Sequence, residues 1–188
     1  RIDTASRIAT GTQGVVATVN PLASQAAMQA FERGGNAIDA AVAASLMLSV
    51  VDGHNSGIGG GCLALVYRAD GNVVALDGRE TAPAEASPEM FFRAGRPAPE
   101  LSQLGPLATG VPGLLATLER LSREHGQIDW AGALLGAAEV ADAGFVISEH
   151  YANVLRNSAE DLKRFPPSAH VLLDEAGQPW SSGHLLRQ

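Results

Sequence analysis

A predominantly apolar segment, Ala37–Val51, constrains the fold of this chain more than any other feature. Asn36 before it is a favourable N-cap, and Asp39 in the first turn places a negative charge where the helix dipole favours one. Because apolar residues occupy every side of this helix, the sequence predicts that it is buried on all sides. The segment is shorter than the roughly 20 apolar residues that span a bilayer, so no transmembrane helix is predicted.

Helices and strands are predicted to alternate around this helix. Pro21–Arg33 follows the N-cap Asn20 and ends at two glycines, which is typical of a helix. Cys62–Arg68 and Val73–Asp77 are predicted to form a hairpin. The other predicted elements are a buried strand at 14–19, a loop at Ala84–Pro106 with one helical turn at Pro88–Phe92, helices at 110–125, Trp130–Ala143 and Glu149–Phe165 ended by Pro166 and Pro167, and a strand and turn at Val171–Trp180. This order indicates the α/β (α+β) class.

The charge balance excludes one class of partner. Thirteen Lys and Arg stand against twenty Asp and Glu, which gives a net charge of −7, and no basic cluster occurs. Nucleic-acid binding needs such a basic footprint, so no nucleic-acid partner is expected. Cys62 is the only cysteine and therefore offers neither a disulfide nor a cysteine metal site.

A glycine-dense turn occupies Asp52–Gly61. Its Gly57-Ile58-Gly59-Gly60-Gly61-Cys62 run lacks the third glycine of the dinucleotide fingerprint, and it follows a helix and enters a strand, which is the reverse of that motif. The run therefore favours close backbone packing over ligand contact.

The histidines and the cysteine indicate no catalytic centre of their own. The five histidines are scattered without the spacing of a zinc motif. His54 and Ser56 offer a base and a nucleophile close together, but G-x-S-x-G is absent, so His54 is interpreted as a turn residue. Cys62 opens a hydrophobic strand and is interpreted as a small buried side chain.

Arg79 is the charged residue with the strongest case for binding. It directly follows the second hairpin strand, close to the glycine-dense turn, and a sheet-held backbone is a firm platform for a binding side chain. Its planar guanidinium grips a carboxylate through two parallel hydrogen bonds. The local alternative is an ion pair with Glu80 or another acid.

Together, several segments resemble the N-terminal part of the large subunit of γ-glutamyltranspeptidase, a family of N-terminal nucleophile (Ntn) hydrolases. They occur in the expected order and cover roughly Gly14 to Ser148. The segments are Gly14–Ala17, Asn20–Ser24, Gly34–Ala43, Ser56–Gly61, Asp77–Pro83, Gly110–Gly113 and Ala141–Ser148.

The resemblance implies a fold and an activity. The fold would be part of an αββα sandwich, incomplete without the remaining chain. Family members are made as one precursor that cleaves itself, so that a threonine becomes the N-terminus of a small subunit and the nucleophile of the reaction. The expected activity is cleavage of γ-glutamyl amides such as glutathione, with transfer to water or an amine and no metal or organic cofactor. The family match assigns Arg79, in the segment Arg79-Glu80-Thr81-Ala82-Pro83, to the α-carboxylate of the donor.

The sequence departs from the family pattern in two ways. Asn20 stands before Pro21 where a histidine often occurs, a minor change at a helix cap. The family's large subunit is longer than this chain, and the threonine-bearing small subunit is not in it. Thr4 has the wrong context to be the nucleophile. We therefore expect residues 1–188 to be one portion of a large subunit, inactive alone, with no catalytic residue of its own and with the small subunit as partner.

Two alternatives remain open at this stage. Within the family, some members are cephalosporin acylases or hydrolyse other small amides, so the donor is undetermined. Outside catalysis, the same scaffold would serve as a binding module. The family's habit implies a periplasmic or secreted protein, although the residues leave a cytoplasmic location open. The chain lacks an initiator Met, so we expect that its first residue is not the translated one.

Overall fold

The structure is a computed structural model that describes residues 8–188. The chain divides into two compact units. One comprises the residues up to Gly57 together with Leu121–Gln188, and the other comprises Ile58–Arg120. Thr4 lies outside the described residues. The expectation that residues 1–188 form one portion of a large subunit stays a prediction.

Helices dominate, and the strands are short. In chain order the elements are α1 (Pro21–Glu32), α2 (Ala37–Val51), α3 (Gly53–Ser56), β1 (Cys62–Tyr67), β2 (Val73–Gly78), β3 (Phe92–Arg93), β4 (Arg96–Pro97), α4 (Leu114–His125), α5 (Trp130–Ala143), β5 (Phe145–Val146), α6 (Glu149–Leu162), α7 (Pro166–Leu172) and β6 (Leu185–Leu186). The predicted loop at Ala84–Pro106 contains β3, β4 and the 3₁₀ turns Pro88–Phe91 and Pro99–Ser102. The mixed helix and strand class predicted from the sequence is confirmed.

In the first unit, α2 packs against α1 in the core. Ala23, Ala27 and Ala30 of α1 are completely buried, and they pack with Ala40, Ala43 and Met47 of α2. Alanines on both helices allow close approach of the two backbones. No helix among residues 8–188 combines the length and the hydrophobicity needed to cross a membrane.

The prediction that α2 is buried on all sides is wrong on one face. Ala37 and Ala41 are exposed, and Ser45 and Leu48 are only partly buried. These residues fall at intervals of four and three, so they form one stripe along the helix. The stripe lines a cleft of about 780 Å³, whose other wall includes Val15–Val19.

The segment Val15–Val19 is not the buried strand that its β-branched residues predicted. It forms no ladder with any described residue, and the residues Val15 and Val19 are 55% and 79% exposed. A strand needs a backbone partner, and residues 8–188 supply none to this segment. We call residues 15–19 the open strand segment.

The turn at Gly126–Ile128 is tied to the start of α2 through Asp39. The Asp39 carboxylate accepts the Asn36 N–H at 2.8 Å, which completes a capping box. It also accepts the N–H of Gln127 at 3.0 Å and that of Ile128 at 3.2 Å, while its residue is only 2% exposed. Asp39 therefore joins two distant parts of the first unit, beyond its predicted helix-dipole role.

The C-terminal predictions are partly wrong. α6 ends at Leu162 rather than Phe165, and Pro166 opens the helix α7. Proline is favourable in the first helical turn because its missing N–H is not needed there. The predicted strand within Val171–Trp180 is reduced to a single bridge between Leu173 and Pro179.

In the second unit, β1 and β2 form the predicted antiparallel hairpin, with Cys62 paired to Gly78 and Tyr67 paired to Val73. Gly71 in the connecting turn has a positive φ of 84°, which glycine adopts without strain. One face of the hairpin is apolar but open: Leu63, Leu65 and Tyr67 are 71–78% exposed. We call this surface the open hairpin face.

Candidate functional site

The candidate site is built around Arg79, the first residue after β2. The ladder ends at the pair Cys62–Gly78, so Arg79 lies one position beyond it. Its backbone N–H donates to Asp77 Oδ1 at 3.0 Å. The Arg79 side chain is 65% exposed, so its guanidinium is available to a ligand. The sequence predicted this position at the end of the hairpin correctly.

Hydrogen bonds link the backbone that follows Arg79 to the 110–114 segment, and link that segment in turn to the glycine-dense turn. Thr81 forms a bridge with Val111, with N–H···O distances of 3.3 and 2.8 Å in the two directions. The N–H groups of Gly113 and Leu114 both donate to the carbonyl of Gly60, at 3.2 and 3.1 Å. The segment after β2, the 110–114 segment and the glycine-dense turn therefore form one hydrogen-bonded assembly.

Gly61 and Gly113 in this assembly have no room for a side chain. A Cβ on Gly61 would collide with the carbonyl oxygen of Gly78 and lie 2.9 Å from the Cα of Arg79. A Cβ on Gly113 would collide with the same carbonyl and lie 3.1 Å from the carbonyl oxygen of Arg79. We call Gly61 and Gly113 the glycine pair. The structural interpretation of the glycine-dense turn is confirmed at Gly61.

The local alternative for Arg79, an ion pair with Glu80, is also present. Arg79 Nη2 lies 3.5 Å from Glu80 Oε2, and the two side chains are 65% and 30% exposed. An exposed pair at this distance contributes little to stability, because solvent screens it. The guanidinium carries five N–H donors, so this contact leaves capacity for a bidentate carboxylate.

Cys62 lies at the start of β1, beside this assembly. Burial raises the pKa of its thiol, and a hydrogen bond with Thr117 partly offsets that effect. A thiol whose pKa is raised stays protonated at neutral pH, and the thiolate is the nucleophilic form. This supports the sequence-based interpretation of Cys62 as a packing residue, although it is only partly buried.

His54 and Ser56, weighed as a base and a nucleophile, lie in the first unit and do not bond each other. The Ser56 hydroxyl donates to Asp52 Oδ2 at 3.2 Å. His54 Nε2 lies 3.3 Å from Asp52 Oδ1, an ion-pair distance without hydrogen-bond alignment. Both side chains therefore lie close to the carboxylate of Asp52, the residue that precedes the single-turn helix α3.

Asp52 is a polar centre that the sequence analysis did not single out. Its residue is 7% exposed, and it also receives the Asn55 amide at 3.3 Å. Tyr151 packs its ring edge-on against His54, with centroids 4.9 Å apart. Burial, and secondarily the charge of Asp52, raise the pKa of Tyr151. The signal that could have identified Asp52 in the sequence is an acidic residue directly after an apolar helix.

A resident metal is not indicated by the described part of the chain. Within residues 8–188, no three His, Cys, Asp or Glu side chains are grouped so that they could hold a metal ion.

The fold and the site now allow comparison with known proteins. Residues 23–188 match the family described as Gamma-glutamyltranspeptidase. The structure is similar to the crystal structure of Helicobacter pylori gamma-glutamyltranspeptidase, with a TM-score of 0.92, 35% identity, and coverage of 96% of this chain and 52% of that chain. The chain therefore belongs to the γ-glutamyltranspeptidase family of Ntn hydrolases, as the sequence motifs predicted.

Two curated relatives show both kinds of name found in the family. The chain is 35% identical to Glutathione hydrolase proenzyme 2 of Schizosaccharomyces pombe over 94% of this chain and 27% of that protein. It is 38% identical to Acylase ACY 1 proenzyme of Pseudomonas sp. strain V22 over 96% of this chain and 33% of that protein. The chain thus spans at most about a third of the length of these relatives.

Proposed function

We propose that this chain is the N-terminal portion of an enzyme that cleaves γ-glutamyl amides such as glutathione and transfers the γ-glutamyl group to water or an amine. The observation that carries the proposal is the exposed Arg79 guanidinium on a backbone that both members of the glycine pair approach closely. A guanidinium that projects from a held backbone is suited to a carboxylate at one defined distance from the reacting bond. Family membership supports the same reaction.

In the proposed mechanism, Arg79 binds the α-carboxylate of the donor and so sets the position of the γ-carbonyl. The nucleophile is the N-terminal threonine of a separate small subunit, and its α-amine takes the hydroxyl proton. Attack on the γ-carbonyl forms a γ-glutamyl ester on the threonine and breaks the C–N bond of the donor, and the protonated α-amine returns its proton to the departing donor amine. Water or an acceptor amine then cleaves the ester and restores the hydroxyl. The proposed reaction uses no metal or organic cofactor.

We propose the small subunit of the same precursor as the partner of this chain. Each unit presents an apolar surface that is open among the described residues: the open strand segment in the first unit, and the open hairpin face in the second. Large exposed apolar patches mark interaction surfaces. The word proenzyme in the names of the relatives is consistent with a precursor that is processed into subunits. A periplasmic or secreted location is proposed from family membership alone.

A second candidate activity is hydrolysis of a related acyl amide. It is favoured by the 38% identity to Acylase ACY 1 proenzyme, over 96% of this chain. A carboxylate at the same place in the acyl group would bind to the guanidinium of Arg79, as the α-carboxylate of the γ-glutamyl donor does in the first proposal. The two activities differ in whether the donor carries an α-amine.

The test uses the complete protein and three p-nitroanilides that differ only in the acyl group. The γ-glutamyl compound carries an α-carboxylate and an α-amine, the glutaryl compound keeps the carboxylate alone, and the 4-aminobutyryl compound keeps the amine alone. We expect Arg79→Ala to lower kcat/KM for the γ-glutamyl compound by about 100-fold, because a charge-assisted bidentate contact is lost. Arg79→Lys keeps the charge without the planar fork, so it should recover only part of the activity.

The 4-aminobutyryl compound is the internal control, because it has no carboxylate for Arg79 to bind. Its slow turnover should be the same in the wild type and in Arg79→Ala. Faster turnover of the glutaryl than of the γ-glutamyl compound by the wild type would favour the acylase activity. Equal γ-glutamyl turnover by Arg79→Ala and the wild type would refute the role of Arg79. Absence of γ-glutamyl cleavage by the complete protein would refute the proposed function itself.

A further inference from the structure

Asp77 lies two residues before Arg79 and is the penultimate residue of β2. Its Oδ1 accepts the Arg79 N–H at 3.0 Å, a turn in which a side-chain oxygen replaces a backbone acceptor. The ladder of the hairpin ends at Gly78, so Arg79 is the first residue whose N–H lies beyond it. The bond therefore fixes the peptide plane from which the Arg79 side chain projects.

The glycine pair restrains the same peptide by close contact. Gly61 and Gly113 approach the Gly78 carbonyl closely enough that neither position has room for a Cβ. Gly78 in turn has no room for a Cβ, because the side chain of Thr117 occupies that space. These contacts restrict translation of the Gly78–Arg79 backbone, but none of them binds the Arg79 N–H. Rotation of that peptide is opposed by the bond to Asp77.

We propose that Asp77 is a positioning residue for Arg79 in the binding of the donor carboxylate, a proposal that rests on the proposed function. Arg79 has four side-chain torsions, and a guanidinium at the end of a loosely held backbone would sample many positions. A guanidinium held at its base loses less freedom on binding, which favours affinity. Asp77 acts through its oxygen as an acceptor, not through its charge.

A positioning role for Asp77 and a role of its charge make different predictions. The donor carries a carboxylate, which a negative charge repels, and an α-amine, which it attracts when protonated, so any contribution of the charge to binding is lost in Asp77→Asn. Asparagine offers the same Oδ1 acceptor at the same place without that charge. A positioning role therefore predicts that Asn replaces Asp77 with little loss, whereas Ala does not.

The hairpin supplies a matched control at its other end. Asp70 Oδ1 accepts the Asn72 N–H at 3.0 Å in the β1–β2 turn, the same kind of bond two residues apart. Asp70→Ala removes this bond from the same hairpin without touching the Arg79 backbone. It therefore measures how far a general loosening of the hairpin affects activity.

The experiment compares Asp77→Ala, Asp77→Asn and Asp70→Ala in the complete protein, with γ-glutamyl-p-nitroanilide as the donor. We expect Asp77→Ala to raise KM by about tenfold, the effect of one lost hydrogen bond, with kcat changed much less. Asp77→Asn should recover most of that affinity, and Asp70→Ala should keep the KM of the wild type. The melting temperatures of the two Ala variants should fall by similar amounts.

Three results would overturn the proposal. One is a KM for Asp77→Ala equal to that of the wild type. Another is a loss of affinity in Asp77→Asn as large as in Asp77→Ala, which would assign the effect to the charge. The third is an equal loss in Asp70→Ala, which would assign it to hairpin stability. If Arg79→Ala nevertheless lowers turnover, the proposed function stands, so the two failures are distinguishable.

Discussion

The carboxylate of Asp39 accepts the backbone N–H of Gln127 with both of its oxygens, at 3.0 Å each, although the two residues lie 88 positions apart. The same carboxylate caps α2 through Asn36. One buried side chain thus accepts backbone N–H groups both at the start of a core helix and in a remote turn. Unpartnered N–H groups would be left at both places without it.

We predict that Asp39→Ala lowers the free energy of unfolding by about 3 kcal/mol, because the backbone N–H groups of Asn36, Gln127 and Ile128 lose their shared acceptor together. Asp39→Asn should cost less, since one acceptor oxygen remains. Urea denaturation of the complete protein, followed by circular dichroism, measures both changes.

The control for Asp39 is Asp129→Ala. Asp129 is exposed and caps α5 through one bond to the Gly132 N–H at 3.2 Å. Loss of such a cap costs about 1 kcal/mol. If Asp39→Ala were no more destabilising than Asp129→Ala, the long-range bonds of Asp39 would contribute nothing.

The glycine-dense turn contains its own matched pair of positions. A Cβ on Gly61 collides with the backbone at Gly78, whereas a Cβ on Gly59 meets no atom within 4 Å. We expect Gly61→Ala to displace the Arg79 backbone, to raise KM for the donor and to cost about 1–3 kcal/mol of stability. Gly59→Ala should change neither.

The measurements are donor kinetics and thermal unfolding on the two glycine variants side by side. Equal behaviour of Gly61→Ala and Gly59→Ala would show that the backbone can shift to accept a side chain. In that case, close packing around Arg79 would not explain why glycine stands at position 61.

The Cys62 thiol provides a prediction on pH. Burial raises its folded-state pKa above the ordinary pKa of a cysteine thiol. At a pH between the pKa of the unfolded state, about 9, and that of the folded state, the unfolded state releases the proton and the folded state keeps it. The free energy of unfolding therefore falls as the pH rises from about 9 through the folded pKa. Cys62→Ala should lack this contribution.

The rate of alkylation by iodoacetamide tests the same pKa directly. Its rise with pH should be displaced to higher pH in the folded protein than in protein unfolded in urea, because only the thiolate reacts. The pH at the midpoint is compared, not the absolute rate, since access to the thiol also alters the rate. Coincident midpoints would contradict the effect of burial.

Local signals explain why most helices were predictable from the sequence. Each predicted cap accepts a backbone N–H in the structure: Asn20 for α1, Asn36 for α2, Asp129 for α5 and Ser148 for α6. The hairpin was equally predictable, because its alternation and its turn lie within one short segment. Capping and turn formation depend on neighbours a few residues away.

The wrong predictions concern features that depend on distant partners. Val15–Val19 has the composition of a strand, but no described residue pairs with it. The exposed face of α2 could not be predicted, because an apolar composition does not show which faces of a helix are covered by neighbouring elements. For the site, Arg79 could be placed at the end of β2, whereas the approach of Gly113 depends on tertiary packing and has no signal in the local sequence.

The open hairpin face has a consequence for biosynthesis. Leu63, Leu65 and Tyr67 stand exposed on a two-stranded sheet, and such a surface is prone to intermolecular association while a chain is being made. Relatives of this chain are made as proenzymes. In the precursor proposed above, a covering segment made in the same polypeptide is present at an effective concentration of about millimolar during folding, so intramolecular coverage outcompetes aggregation. Cleavage after assembly would then leave a folded interface in place.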